Sequence, residues 1–196
     1  GTIQNVRHAP LNTKRKLSDD DFKIYGKKLT NFAEFCSDFG MPISFHHHMG
    51  TAVETEHELD LLMNYTGEAV HLLFDTGHMT FAGGNSVSVI NKYANRITHV
   101  HTKDIRISIV NKLNKDKESL LDAVLKGAFT VPGDGSIDFN EVIQTLAKNN
   151  YEGWFIVEAE QDPEKANPLE MAKIGNKELR KCLSNNGYDI QEYKDE

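Results

Sequence analysis

Six of the nine histidines in this 196-residue chain fall in three short clusters. These are His46-His47-His48, Asp75-Thr76-Gly77-His78 and His99-Val100-His101-Thr102-Lys103-Asp104. A fourth polar run, Glu158-Ala159-Glu160-Gln161-Asp162, adds carboxylates. Imidazole nitrogens mixed with carboxylate oxygens suit Mn²⁺, Co²⁺, Zn²⁺ or Fe²⁺ better than Ca²⁺. No thiol accompanies them, which speaks against a structural zinc knot. The chemistry expected is that of a catalytic ion with open positions for substrate oxygens. Blander roles exist for single members: His99 fits a hydrogen-bonded core histidine, and Asp75 and His78 fit loop caps. His71 reads as structural, and His57 and His8 as surface residues.

For such clusters to meet, the chain must bring them to one end of a common scaffold. Ser18 followed by Asp19-Asp20-Asp21 is a helix start, a capping hydroxyl ahead of carboxylates at the positive end of the dipole. Apolar residues from Phe22 to Cys36 recur at helical spacing, and Gly40 ends the run. Ile43 to His46 then reads as a strand, and Thr55-Glu56-His57-Glu58 as a capping box opening a second helix. Val70 to Asp75 is almost wholly apolar, as in a strand covered on both faces. A helix over 86–93 and a strand over 97–104 follow. A polar insertion over 105–117 leads to a short helix near 120–125 and a turn at Val131-Pro132-Gly133-Asp134-Gly135. A capping box at Asp138-Phe139-Asn140-Glu141 starts another helix. Trp154 to Glu158 reads as the last strand, and Pro168 sits in the first turn of a closing helix. Thr2-Ile3-Gln4 is expected to be the tail of an earlier strand.

Strands alternating with helices, joined by connections too long for hairpins, argue for βαβ units in a parallel sheet. Every expected strand ends in one of the polar clusters, and active sites of parallel α/β folds lie at those ends. Alternation puts His99, His101 and Lys103 on one strand face, Glu158 and Glu160 on another, and Ser44, His46 and His48 together on a third.

Composition narrows the class of protein. Lys and Arg number 22 against 29 Asp and Glu, a formal charge of −7. That acidity opposes phosphate-backbone binding, so no nucleic-acid partner is expected. No apolar run approaches the roughly 20 residues of a membrane span. No signal segment opens the chain, and Cys36 and Cys182 read as free thiols of a reducing compartment. A single cytoplasmic domain over 1–196 is expected.

The motif strings carry a resemblance as well. His46-His47-His48-Met49-Gly50-Thr51, Asp75-Thr76-Gly77-His78, His99 to Asp104, Phe129 to Gly135 and Val157 to Pro163 resemble the xylose-isomerase-like barrels, and within them the inosose dehydratase branch. The resemblance spans about residues 1–175 and matches only the later half of a (β/α)8 TIM barrel, about four strands. It implies elimination of water from 2-keto-myo-inositol, a Mn²⁺ or Co²⁺ ion, and glutathione as a cofactor. It carries the metal ligands onto Asp75, His101 and Glu158, with His46 where the family usually has a Glu; His48 is the other candidate for that fourth place. A metal-assisted β-elimination needs a base, for which His48 and Glu160 are candidates, and an acid, for which Lys103 and His78 are, with Asp104 orienting its neighbour. A keto-sugar isomerase or epimerase on the same ion is the nearest alternative, and a non-catalytic barrel fragment the most distant. Half a barrel has two unpaired sheet edges, so the chain is expected to be a fragment, to pair with a second copy in a homo-oligomer that completes the barrel, or to cover its edges some other way.

Overall fold

The computed structural model describes residues 2–190. Four parallel strands form the central sheet: β1 (Ile43–His46), β2 (Val70–Asp75), β3 (Ile97–His101) and β6 (Trp154–Ile156), in the order β1-β2-β3-β6. A separate antiparallel pair joins β4 (Asp104–Ile105) to β5 (Phe129–Thr130). The helices are α1 (Asp19–Asp38), α2 (Glu56–Tyr65), α3 (Thr76–Phe81), α4 (Ser86–Tyr93), α5 (Ile107–Val110), α6 (Leu120–Leu125), α7 (Phe139–Lys148) and α8 (Pro168–Asn185).

Helix starts follow the local chemistry. Ser18 and Asp21 cap α1 reciprocally, as Thr55 and Glu58 do for α2. At α7 only half of the expected box forms: the Asp138 side chain accepts from the Glu141 amide, without the return bond. Asn167 caps α8, with Pro168 in its first turn.

The helix-facing side of the sheet, with Leu72, Phe74 and Val100, packs against residues of α2, α4, α7 and α8 to make the main core. A second cluster, with Leu11, Met49, Phe81, Ile105, Leu120 and Phe129, closes over the carboxyl ends of the strands. At the opposite end Arg96 lies buried and donates to the carbonyls of Val70, Met63 and Gly67 and to Thr66 Oγ1.

Several expectations need correction. The third long strand ends at His101, not Asp104, because the chain breaks away and re-pairs as β4 with β5. The last strand ends at Ile156, two residues short of Glu158. Residues 76–81, expected as loop, form α3, with Asp75 as its N-cap. Thr2-Ile3-Gln4 forms no strand; Ile3 N–H instead donates to the Gly50 carbonyl at 2.9 Å. Within the polar insertion, Ile107–Val110 makes one helical turn.

Candidate metal centre

β1, β2, β3 and the segment after β6 deliver their polar ends to one place. Asp75 closes β2 and starts α3, so its Oδ1 is committed to the His78 amide at 2.9 Å. Its other oxygen, Oδ2, lies 3.3 Å from His46 Nε2, 3.4 Å from His101 Nδ1 and 3.4 Å from Lys103 Nζ. Glu158 Oε2 reaches within 2.6 Å of His101 Nδ1 and 3.3 Å of Lys103 Nζ. Glu160 sits beside them, with Oε1 3.5 Å from His48 Nε2 and Oε2 3.4 Å from Lys103 Nζ. Lys103 also donates to His78 Nε2 at 2.9 Å.

Three overlapping sets of donor atoms lie close enough to share an ion: Asp75, His101 and Glu158; His46, Asp75 and His78; and His48, His78 and Glu160. The first contains all three ligands expected from the resemblance. His46 shares Asp75 with that set but groups with His78 rather than with His101 and Glu158.

The donors fit a divalent cation on two counts. His101 Nδ1, Glu158 Oε2 and Glu160 Oε2 are buried yet have no hydrogen-bond partner. These heads crowd within ion-pair distance of one another yet none is in hydrogen-bond geometry, an arrangement suited to ligands aimed at a common point, since buried polar atoms are otherwise almost always paired. The second count is charge. Asp75, Glu158 and Glu160 carry three negative charges against the one ammonium of Lys103. In the metal-free fold a protonated His101 offsets one of the two excess charges; once that proton is displaced, a divalent ion balances both.

The local field is strong. Burial would raise the Asp75 carboxyl, but His78, Lys103, His101 and His46 around it hold it well below the usual carboxylate range. Burial works against a charged His101, yet the adjacent carboxylates of Asp75 and Glu158 push it up to about 9. Burial pushes His78 well below the normal imidazole range, so it accepts from Lys103 as a neutral ring. Lys103 itself is raised, because Asp75, Glu160 and Glu158 outweigh its burial. The stem of Lys103 fits because α3 carries Gly77: a Cβ there would meet Lys103 Cγ at 2.7 Å.

Exposure divides the four acid–base candidates. Lys103 and His78 have no accessible side-chain surface, whereas His48 and Glu160 keep 15% and 29%. His48 commits Nδ1 to the Met49 carbonyl at 2.8 Å and turns Nε2 toward Glu160. Asp104 does not orient Lys103. Its carboxylate accepts from the amides of Ile105, Gly135, Ser136 and Ile137 and so pins the turn after β5. His99 contacts Thr98 Oγ1 and joins none of the donor sets, and His57 and His8 are exposed. Sequence reasoning missed His47, whose Nε2 accepts from the Asp75 amide at 3.1 Å. Alternation placed it on the wrong face for a ligand, and no pattern announces a side chain bonded to a strand end.

Among known proteins, residues 1–182 match the sequence model of the xylose isomerase-like TIM barrels. The chain is 47% identical over 181 residues to the rhizopine catabolism protein MocC of Rhizobium meliloti, covering 92% of this chain and 56% of that one. It is 47% identical over 185 residues to the inosose dehydratase of Clostridium botulinum, covering 93% of this chain and 62% of that one. The chain therefore spans about three fifths of the length of these relatives. Among solved structures, the IOLI protein with a bound zinc atom superposes with a TM-score of 0.66 at 19% identity, over 89% of this chain and 60% of that one.

Proposed function

The chain belongs to the xylose isomerase-like TIM barrel family, and on that footing we propose that it carries the metal-binding half of a hydro-lyase that removes water from 2-keto-myo-inositol. The observation that carries this reading is the convergence of Asp75, His101 and Glu158, with buried donor atoms left unpaired among them. The names of relatives at 44–47% identity point to the same reaction. Asp75, His101 and Glu158 would hold the ion, with His46 as the fourth ligand. For the ion we take Mn²⁺ or Co²⁺, as the family resemblance implies; the mixed nitrogen and oxygen donors suit Zn²⁺ or Fe²⁺ as well. When bound, it supplies Lewis-acid polarisation of the substrate's ketone oxygen.

The residues of this chain do the rest. Glu160, an accessible carboxylate held below its usual range by its contacts with His48 and Lys103 against the effect of burial, takes the proton from the carbon next to the ketone. The electron pair of that C–H bond forms the new C=C bond as the C–O bond of the neighbouring hydroxyl breaks. His48, entering the step doubly protonated with its Nδ1–H on the Met49 carbonyl, gives the proton from Nε2 to the departing oxygen, which leaves as water. Glu160 then holds one proton too many and His48 one too few. Across the 3.5 Å between them the proton returns, and the pair is reset. Lys103, fully buried beside them, keeps the carboxylates ionised without touching substrate, and the neutral His78 ring accepts from it. An epimerase reading is disfavoured because it calls for carboxylates on opposite faces of the substrate, and both accessible ones here, Glu158 and Glu160, come from the same segment.

Glutathione enters only through the family resemblance, and assays with and without it test that part. A cytoplasmic setting and a second copy that pairs with the open sheet edges complete the proposal. No helix among the described residues is long and apolar enough to cross a membrane. The test is elemental analysis of the purified chain together with ultraviolet detection of the conjugated diketone product. Asp75→Ala and Glu158→Gln are expected to lose the ion and the product signal together. Full metal content and turnover in both variants would refute the assignment.

A further inference from the structure

β1 and β2 do not end together. Their pairing runs to His46 opposite Leu73, after which β1 leaves the sheet while β2 continues to Asp75. In a parallel ladder the next amide of β2 would bond a carbonyl of the departing strand. That amide, the N–H of Asp75, donates instead to the imidazole Nε2 of His47 at 3.1 Å. The ring that accepts it is fully buried and packs against Phe74 with centroids 5.6 Å apart. Asp75 stays extended, at φ −113° and ψ 114°, and its Oδ1 is taken by the His78 amide. Its backbone and one carboxylate oxygen are thus both fixed, and only Oδ2 is free to face His46, His101 and Lys103.

We infer that His47 is a positioning residue, whose ring stands in for the missing strand bond and sets the direction in which Asp75 presents Oδ2 to the ion. The effect on ion binding rests on the metal site proposed above; the hydrogen bond does not depend on it. Acceptance at Nε2 places the ring proton on Nδ1, which has no hydrogen-bond partner. A phenylalanine would fill the same space without an acceptor. A glutamine can put its amide oxygen where Nε2 lies, whereas an asparagine is too short to reach.

The experiment compares His47→Phe, His47→Gln and His47→Asn in the 196-residue chain. One readout is Mn²⁺ affinity by calorimetry, and the other is hydrogen exchange of the Asp75 amide by NMR. His47→Phe and His47→Asn should weaken Mn²⁺ binding by about 10–100-fold, the usual cost of losing a partner behind a metal ligand. Both should speed Asp75 exchange, while His47→Gln keeps both properties close to the parent. Equal Mn²⁺ affinity in folded His47→Phe, or a Gln variant as impaired as the Asn variant, would overturn the inference. If the parent chain takes up no Mn²⁺, the metal site itself fails and amide exchange alone decides. An Asp75 amide equally protected in the parent and the Asn variant would then overturn the positioning role. If the Phe variant does not fold, the Gln and Asn pair carries the same comparison.

Discussion

Two cations are buried at opposite ends of the same sheet, and they are treated in opposite ways. Arg96, at the amino ends, spends its guanidinium on the carbonyls of Met63, Gly67 and Val70 and on Thr66 Oγ1. Its partners are neutral, and every one of its nitrogens donates. Lys103, at the carboxyl ends, faces Asp75, Glu158 and Glu160, and the atoms around it include donors and acceptors with no partner. A guanidinium saturated by backbone is a fastening. An ammonium among surplus carboxylates is a counter-ion that a stronger cation can supplement. The contrast separates a buried charge saturated by neutral partners from one left among incompletely paired carboxylates, and it is at the second that we place the ion.

The largest expected effect comes from removing the counter-ion. Lys103→Met leaves three carboxylates facing one another and should destabilise the metal-free protein by about 3–5 kcal/mol, the typical cost of breaking a buried charge pair. Added Mn²⁺ should restore part of the difference from the parent, since the ion binds more tightly once the competing ammonium is gone and each tenfold gain in affinity adds about 1.4 kcal/mol at saturating ion. Arg96→Met should cost about 3 kcal/mol through carbonyls left dry, and Mn²⁺ should restore none of the difference from the parent. Urea unfolding of both variants with and without the ion sets the two ends side by side. Equal rescue of both would erase the distinction.

A smaller effect concerns pH. His101 is raised from 6.5 to about 9 in the metal-free fold. A group with a raised folded pKa contributes stability that is fully present below 6.5 and lost as pH climbs to about 9. Melting temperature of the metal-free protein should therefore decline across that window. With the ion bound, the ring is a neutral ligand, so the decline should flatten and ion binding should release protons. Identical pH profiles with and without the ion would place His101 outside the ligand set.

Much of the scaffold could be read from local chemistry. Ser18 with Asp21 and Thr55 with Glu58 announced their helices because capping needs only neighbours in sequence. Val70 to Asp75 announced a strand through its apolar run. The gathering of Asp75, His101 and Glu158 was legible because each closes a strand or follows one, whereas their proposed role as ligands came from the resemblance. Other elements depend on distant partners. α3 begins with Thr76-Gly77, poor helix formers, and is held by the Asp75 cap and by Thr76 Oγ1 donating to the Lys103 carbonyl. β4 and β5 are two residues each, too short for any alternation to register. The division of acid–base candidates into accessible and covered pairs arises from tertiary packing around Gly77 and Phe129, to which spacing along the chain is blind.

β6, the edge strand opposite β1, begins with Trp154, which is 69% exposed and the sole tryptophan of the chain. Indole emission responds to hydration, so anything that seats against this margin turns its own arrival into a spectral change. The molecule thus carries a built-in optical gauge of whether its sheet stands open or has been joined, readable without any label.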